Sequence, residues 1–219
     1  LVGSEMCIRD SLSIVSHFQL QGTVQEINPL GAGLINDTYK VSTLEADAPD
    51  YVLQRINHAI FQNVEMLQAN INAVTTHIRK KLEEKGEKDI ERKVLHFFPA
   101  DTGKTYWHDG ESYWRVMAFI PNARTYETVN PEYSYYAGVA FGNFQAMLAD
   151  IPDKLGETIP DFHNMEFRLK QLRDAVAADA AGRVKEVRYF LDEIERRAEE
   201  MCKACLLYTS PSPRDRQKS

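Results

Sequence analysis

Gly31-Ala32-Gly33-Leu34-Ile35-Asn36 joins two runs of strand-forming residues in this chain of 219 residues, and its glycines could meet an anion. Glycine leaves backbone N–H groups unobstructed by a Cβ, so they can close on phosphate oxygens. A dinucleotide-binding or Walker-type turn would open a helix whose N-terminus holds the phosphate. Between two antiparallel strands, the same glycines suit a flap that lies over a polyphosphate, although an ordinary hairpin turn is the simpler reading of Gly-x-Gly alone. Gly31, Ala32, Gly33 and Asn36 are the residues expected to make this contact. The next strand, Tyr51-Val52-Leu53-Gln54-Arg55, has a period of two that puts Val52 and Gln54 on one face and Leu53 and Arg55 on the other. With Val52 over a nucleobase, Gln54 points at the phosphates, where its amide can hydrogen-bond but brings no charge. Glu65, near the start of a following helix, is the candidate acid to orient that strand residue, although the helix dipole is the simpler explanation of its charge.

Tyr113 to Ile120, followed by Pro121-Asn122, passes from strand to helical text. Phe119 and Ile120 would hold the edge of a base there through backbone N–H and C=O groups, which constrain side chains little. His163 lies in a polar loop, Ile159-Pro160-Asp161-Phe162-His163-Asn164, and is the candidate contact for an acceptor substrate; a capping or solvated role is the simpler reading. His17, His58, His77, His96 and His108 have no metal-ligand spacing with acids or cysteines, so no metal site is expected. No Gly-x-Ser-x-Gly sequence occurs, and no Ser-His-Asp arrangement can be argued. Tyr133, Tyr135 and Tyr136 read as packing for a helix start.

The elements that must position these residues follow from periodicity. Strands are expected over Thr23–Ile27, Asp37–Leu44, Tyr51–Ile56, Val94–Phe98, Lys104–Trp107 and Tyr113–Ile120. Asp109-Gly110 marks a two-residue hairpin of type I′ between the last two. Val64, Leu67, Ile71, Val74, Ile78 and Leu82 form one apolar stripe on a long helix. Lys80 to Lys93 reads as its solvated end and a loop. Beyond Pro121 the pattern is helical: Ala137, Phe141, Phe144, Leu148 and Ile151, then Phe167 to Ala178, then Val184 to Met201. The expected class is α+β with a protein-kinase-like plan: an N-terminal antiparallel sheet with one long helix, over residues 12–120, and the first helices of a helical lobe over 121–204.

Hydrophobic residues make up 43% and charged residues 26%, the make-up of an ordinary globular domain. The net charge of -6 argues against nonspecific binding to nucleic acid or anionic membranes, and no run of 18 apolar residues could span a bilayer. Both ends read as foreign. Cys205 to Asp215 is the translation expected from a transposon sequencing adapter, and Leu1 to Asp10 that of its reverse complement. On this reading residues 1–11 and 205–219 are adapter-derived, Cys202 is the one native cysteine, and a reducing cytoplasm fits best. The last helical stripe lacks a partner surface, so the second lobe is expected to be incomplete.

Gly31 to Tyr39, Tyr51-Val52-Leu53-Gln54-Arg55-Ile56-Asn57 and Phe61-Gln62-Asn63-Val64 together resemble the aminoglycoside phosphotransferase and choline kinase-like superfamily, and within it the N-acetylhexosamine 1-kinase group. Arg115 to Pro121 resembles the family's hinge strand, and Leu155 to His163 a segment of its C-terminal lobe. The resemblance implies transfer of a phosphoryl group from ATP, with Mg2+, to a small-molecule acceptor such as the C1 hydroxyl of an N-acetylhexosamine. It also implies a base in a His-x-Asp loop and Mg2+ on a following Asn and a second Asp, all beyond Ala204, so the fragment itself is expected to be inactive. Where the family's sugar kinases often carry His, this chain has Leu34. A non-catalytic binding protein on the same fold stays open because Gln54 stands in the place of a lysine. So does a kinase for an amino acid, amino alcohol or thiosugar. The sequence does not determine an oligomeric state.

Overall fold

The structure is a computed structural model that describes residues 8–31, 33, 35–124, 126, 128 and 130–208. Ala32 and Leu34 therefore lie outside the described residues. The chain divides into two compact units, Leu1–Thr158 and Ile159–Ser219.

The first unit is built on an antiparallel sheet in the order β1-β2-β3-β6-β4, with β5 also paired to β6. The strands are β1 (Val24–Pro29), β2 (Asp37–Thr43), β3 (Tyr51–Ile56), β4 (Phe97–Phe98), β5 (Trp107–His108) and β6 (Tyr113–Ala118). Helix α1 (Ile8–Val15) precedes the sheet, and α2 (Val64–Glu84), α3 (Ile90–Lys93) and α4 (Pro131–Leu148) complete the unit. Alternation decides which strand residues are buried. Val41, Tyr51, Leu53, Trp114 and Val116 form one continuous core with Ile14 and Val15 of α1, Phe18 and Ala100. The Tyr51 hydroxyl, at the margin of that core, donates to the Gln21 carbonyl at 3.0 Å and accepts from the Gln21 N–H at 2.8 Å, which satisfies it where water is scarce.

Helix α2 starts where Asn63 caps it, accepting from the Met66 N–H at 2.9 Å. Its far end packs on the end of α4, where Ile78, Leu82 and Val94 meet Met147 and Leu148. His77 and Lys81 both reach the Met147 carbonyl and the Asp150 carboxylate, tying up the C-terminal end of α4. Asn70 holds the following segment by a reciprocal pair, donating to the Gly156 carbonyl at 2.7 Å and accepting its N–H at 2.9 Å. Helix α4 thus lies beside α2 within the first unit.

Several expectations are corrected in detail. The strand expected at Lys104–Trp107 shrinks to Trp107–His108, because residues 100–104 close a turn through Gly103 at φ +76°. The hairpin after it has Gly110 and Glu111 as central residues, closed by the Asp109 N–H on the Ser112 carbonyl at 3.1 Å. Only Gly110 has positive φ, so the expected type I′ turn, which needs it at both positions, is not formed. The α4 stripe is also only partly used: Ile151 is buried, while Phe141 and Phe144 are exposed.

In the second unit, Asn164 caps α5 (Met165–Ala178) through the Phe167 N–H, and a 3-10 turn (Val184–Val187) leads into α6 (Arg188–Tyr208). Arg173 and Glu195 join α5 to α6 by two parallel hydrogen bonds of 2.8 and 2.6 Å. Cys202 is half-buried on α6. Among the described residues no helix is long and apolar enough to cross a membrane.

Candidate active site

The sheet face opposite the apolar core carries a continuous polar row. In register, Thr38, Gln54 and Arg115 form one row across β2, β3 and β6, and Lys40, Val52 and Met117 form the next. The period-two assignment of Val52 and Gln54 to one face thus matches the observed register.

Above the first row is the β1–β2 turn. Gly31 sits at φ +71°, a left-handed conformation that glycine adopts without a Cβ penalty. A Cβ on Gly33 would lie 2.6 Å from the Asn36 carbonyl oxygen, so no side chain fits there without moving backbone. Asn36 fastens the turn: its Oδ1 accepts the Asn57 N–H at 2.9 Å, pinning the end of the turn to the end of β3. On the far side of the sheet from Gln54, Arg55 pairs with Asp37 across the same two strands, its Nε at 2.7 Å from the carboxylate.

The Gln54 amide is bonded at both ends. Its Nε2 donates to Thr38 Oγ1 at 3.0 Å, and its Oε1 accepts from Arg115 Nε at 2.9 Å and Nη2 at 2.6 Å. The third Arg115 nitrogen, Nη1, donates to Gln68 Oε1 at 2.9 Å. Gln68 Nε2 in turn donates to the Thr105 carbonyl at 2.8 Å. One polar chain therefore runs from β2 through β3 and β6 to α2 and the 101–106 segment. Burial pushes the Arg115 guanidinium down to about 10, so it stays protonated at neutral pH. Lys40, in the neighbouring row, is neutralised by Asp50 at 2.8 Å and lies 4.6 Å from the centre of the Phe119 ring. The Lys40 ammonium, followed by the Thr43 N–H, holds the Asp50 carboxyl below its usual range despite partial burial.

Glu65 is not the residue that reaches Gln54. It is 73% exposed and pairs with Lys104 at 3.2 Å. The α2 residue that faces the polar row is Gln68, one turn further on and 2% exposed. The reason is angular: Gln68 follows Val64 by four positions and precedes Ile71 by three, so it shares their face, whereas Glu65 lies about 60° further round the helix from Gln68. Sequence reading passed over both Gln68 and Arg115. The available signal was Arg115 itself, a lone cation in the central strand Tyr-Trp-Arg-Val-Met-Ala, out of phase with the buried Trp114 and Val116.

At the end of β6, the Phe119 N–H donates to the Asp50 carbonyl at 3.1 Å. That donor is spent within the fold, so the edge contact expected of Phe119 could use its carbonyl but not its N–H. Arg92 Nη1 donates to the Pro121 carbonyl at 2.7 Å, and Asn122 follows at φ +58°. His163 belongs to the second unit, with its ring edge-on to Phe162 at 4.8 Å between centres. Among the described residues, no group of three His, Cys, Asp or Glu side chains could hold a metal ion.

The arrangement of sheet, glycine turn and single long helix has a counterpart of known structure. The crystal structure of the spectinomycin phosphotransferase APH(9)-Ia, in complex with ADP and spectinomycin, matches 90% of this chain with a TM-score of 0.53 at 8% sequence identity. At that identity the likeness is one of fold, and it places the chain in the α+β, kinase-like class. The chain spans 57% of the length of that structure. The family described as APH, phosphotransferase enzyme family, matches residues 26–213, which include the glycine turn, the polar row and α2. This chain belongs to the APH phosphotransferase enzyme family.

Proposed function

We propose that the chain is the nucleotide-binding portion of an ATP-dependent small-molecule kinase. The observation that carries this reading is the polar row Thr38–Gln54–Arg115–Gln68 beneath a turn in which a Cβ on Gly33 would strike backbone. An ATP polyphosphate suits that place: backbone N–H groups of Gly31 and Gly33 would lie over its oxygens, and the Gln54 amide would face them from below. Val52 and Met117 give the adjacent row an apolar surface for the base, and the Phe119 carbonyl and Ile120 backbone would meet its edge. Ala32 belongs to the same proposed contact.

In this reading residues 12–120 bind the nucleotide, and residues 121–204 begin a helical lobe that contributes to the acceptor site, with His163 as its candidate contact. The acceptor is a hydroxyl compound, by resemblance the C1 hydroxyl of an N-acetylhexosamine, and the compartment is the cytoplasm. Mg2+ is implied by the family, but the described residues provide no ligand cluster for it, and no His-x-Asp sequence occurs in the chain. The base and metal ligands are assigned to sequence outside residues 12–204. The contribution of this chain is then to bind and orient ATP and exclude water from its phosphates.

Calorimetric titration with ATP and adenosine, with product analysis against a panel of N-acetylhexosamines, tests this. The expected result is saturable ATP binding with no phosphorylated sugar formed. Absence of ATP binding would overturn the nucleotide reading, and sugar phosphate formed by the chain itself would overturn the assignment of the base and metal ligands. Gln54 in a lysine's place supports a second reading, a non-catalytic binding protein; a His-x-Asp sequence in the continuation of the gene would exclude it.

A further inference from the structure

We propose that Arg115 is the phosphate-site cation of this protein, acting through Gln54 from the neighbouring strand. The inference rests on the nucleotide reading above and concerns where its positive charge resides.

A guanidinium has donors and no acceptor, so any amide it touches must present oxygen to it. Arg115 takes the carbonyl oxygens of Gln54 and Gln68 together, and this decides the orientation of both amides. A flipped Gln54 would set its own NH2 against the two Arg115 donors, Nε and Nη2, that its oxygen now accepts. The Gln54 NH2 is therefore held on the side of Thr38 and the glycine turn, 3.0 Å from Thr38 Oγ1. Through this contact Arg115 is a positioning residue for the phosphate-facing group.

Its charge is the second part of the argument. Among the described residues no carboxylate lies within ion-pair distance of Arg115; its polar partners are the two neutral amides, with the Phe97 ring at 5.5 Å. A desolvated cation without an acid is costly to keep. The other cation of this face, Lys40, is cancelled by Asp50, and the acid near the start of α2, Glu65, is spent on Lys104. The polar row thus retains one uncompensated positive charge beneath the turn, and an anionic ligand would supply what the protein omits. Gln54 lacks a charge because β6 already carries it; a lysine at 54 would stand directly against Arg115 in the register. The plain alternative is a structural clamp, in which Arg115 only ties β3, β6 and α2 together.

The test is a titration series with adenosine, ADP, ATP and inorganic tripolyphosphate, for the wild type, Arg115→Met, and Arg115→Met combined with Gln54→Lys. The expected outcome is a loss of about tenfold or more in ATP affinity for Arg115→Met, the size of one charged hydrogen-bond contact, with adenosine affinity unchanged. The double variant, which returns a charge to the row from β3, is expected to recover most of that loss. A clamp role predicts equal losses for adenosine and ATP and no recovery, and that result would overturn the proposal. If the wild type binds adenosine and ATP equally, the proposal fails while the nucleotide reading stands. If it binds tripolyphosphate through Arg115 but no adenine compound, the nucleotide reading fails and the anion site stands; binding of none of the four overturns both. Should thermal unfolding show that Arg115→Met does not fold, Gln54→Leu decides the matter, because it cuts the relay and leaves Arg115 in place. ATP affinity must then fall with adenosine affinity retained.

Discussion

The two faces of the β1-β2-β3-β6-β4 sheet do opposite things with the same strands. One face buries Val41, Tyr51, Leu53, Trp114 and Val116 against α1 and Phe18, and their side chains supply apolar area with few polar demands. The other face carries Thr38, Gln54 and Arg115 in a row completed by Gln68, where every polar atom needs a partner and a charge is held out of water. The sign of that cost follows from the depressed Arg115 value. Between about pH 10 and 12 the unfolded chain binds more protons than the folded one, so stability rises with pH there. Below pH 10 the full penalty of the buried charge is present. The comparison teaches that one face supports the fold and the other gives up stability to keep a polar row in place.

The sharpest way to break this division is to damage the stabilising face. Leu53→Ala is expected to cost about 2–5 kcal/mol in urea denaturation while leaving ATP affinity of the folded fraction unchanged. Loss of affinity at full foldedness would mean that the faces are coupled. The reverse experiment replaces the costly face: Gln54→Leu, Gln68→Leu and Arg115→Met together are expected to raise stability by about 1–4 kcal/mol and abolish ATP binding. A destabilised triple variant would show that the row supports the fold.

Gly33→Ala tests the turn above the row. Its Cβ would meet the Asn36 carbonyl oxygen at 2.6 Å, so the backbone must shift. ATP affinity is expected to fall by about tenfold, with adenosine affinity and the unfolding midpoint nearly unchanged. A smaller effect belongs to Asp109, beside the β5–β6 hairpin. Burial pushes its carboxyl up, but the Ser112 N–H, the Trp114 indole and the Glu111 N–H together hold it below the usual range. Its contribution is therefore present above about pH 4 and is lost as pH falls through the depressed value. Asp109→Asn should be less stable than wild type at pH 7, and the difference should vanish on acidification, read by Trp fluorescence. The smallest effect is expected of Asp150→Asn: this 65% exposed partner of His77 and Lys81 should leave the urea midpoint nearly unchanged, with any difference shrinking as salt is added.

Much of the fold could be read in advance because it follows from local periods. Strand β3 falls at Tyr51–Ile56 as expected, and α2 begins at Val64 as its stripe requires. Periodicity does not bound the short strands β4 and β5, which cover Phe97–Phe98 and Trp107–His108 and not the longer spans expected, since strands of two residues carry almost no alternation. At the site, the glycine turn and the direction of Gln54 were legible, and the partner of Gln54 was not. Glu65 had the right chemistry and position in the chain, but α2 is rotated so that Gln68 faces the sheet.

By itself, then, the sequence determined which residues share a face, where the turn lies between its strands, and that Gln54 brings no charge to it. Those are consequences of a two-residue strand period and of glycine backbone freedom, both local properties. Only the tertiary structure decided that Arg115 stands beside Gln54 and that an amide, not a carboxylate, closes the row from α2. Strand order and helix rotation bring Arg115 to partners 47 and 61 positions away, through contacts that no local pattern encodes.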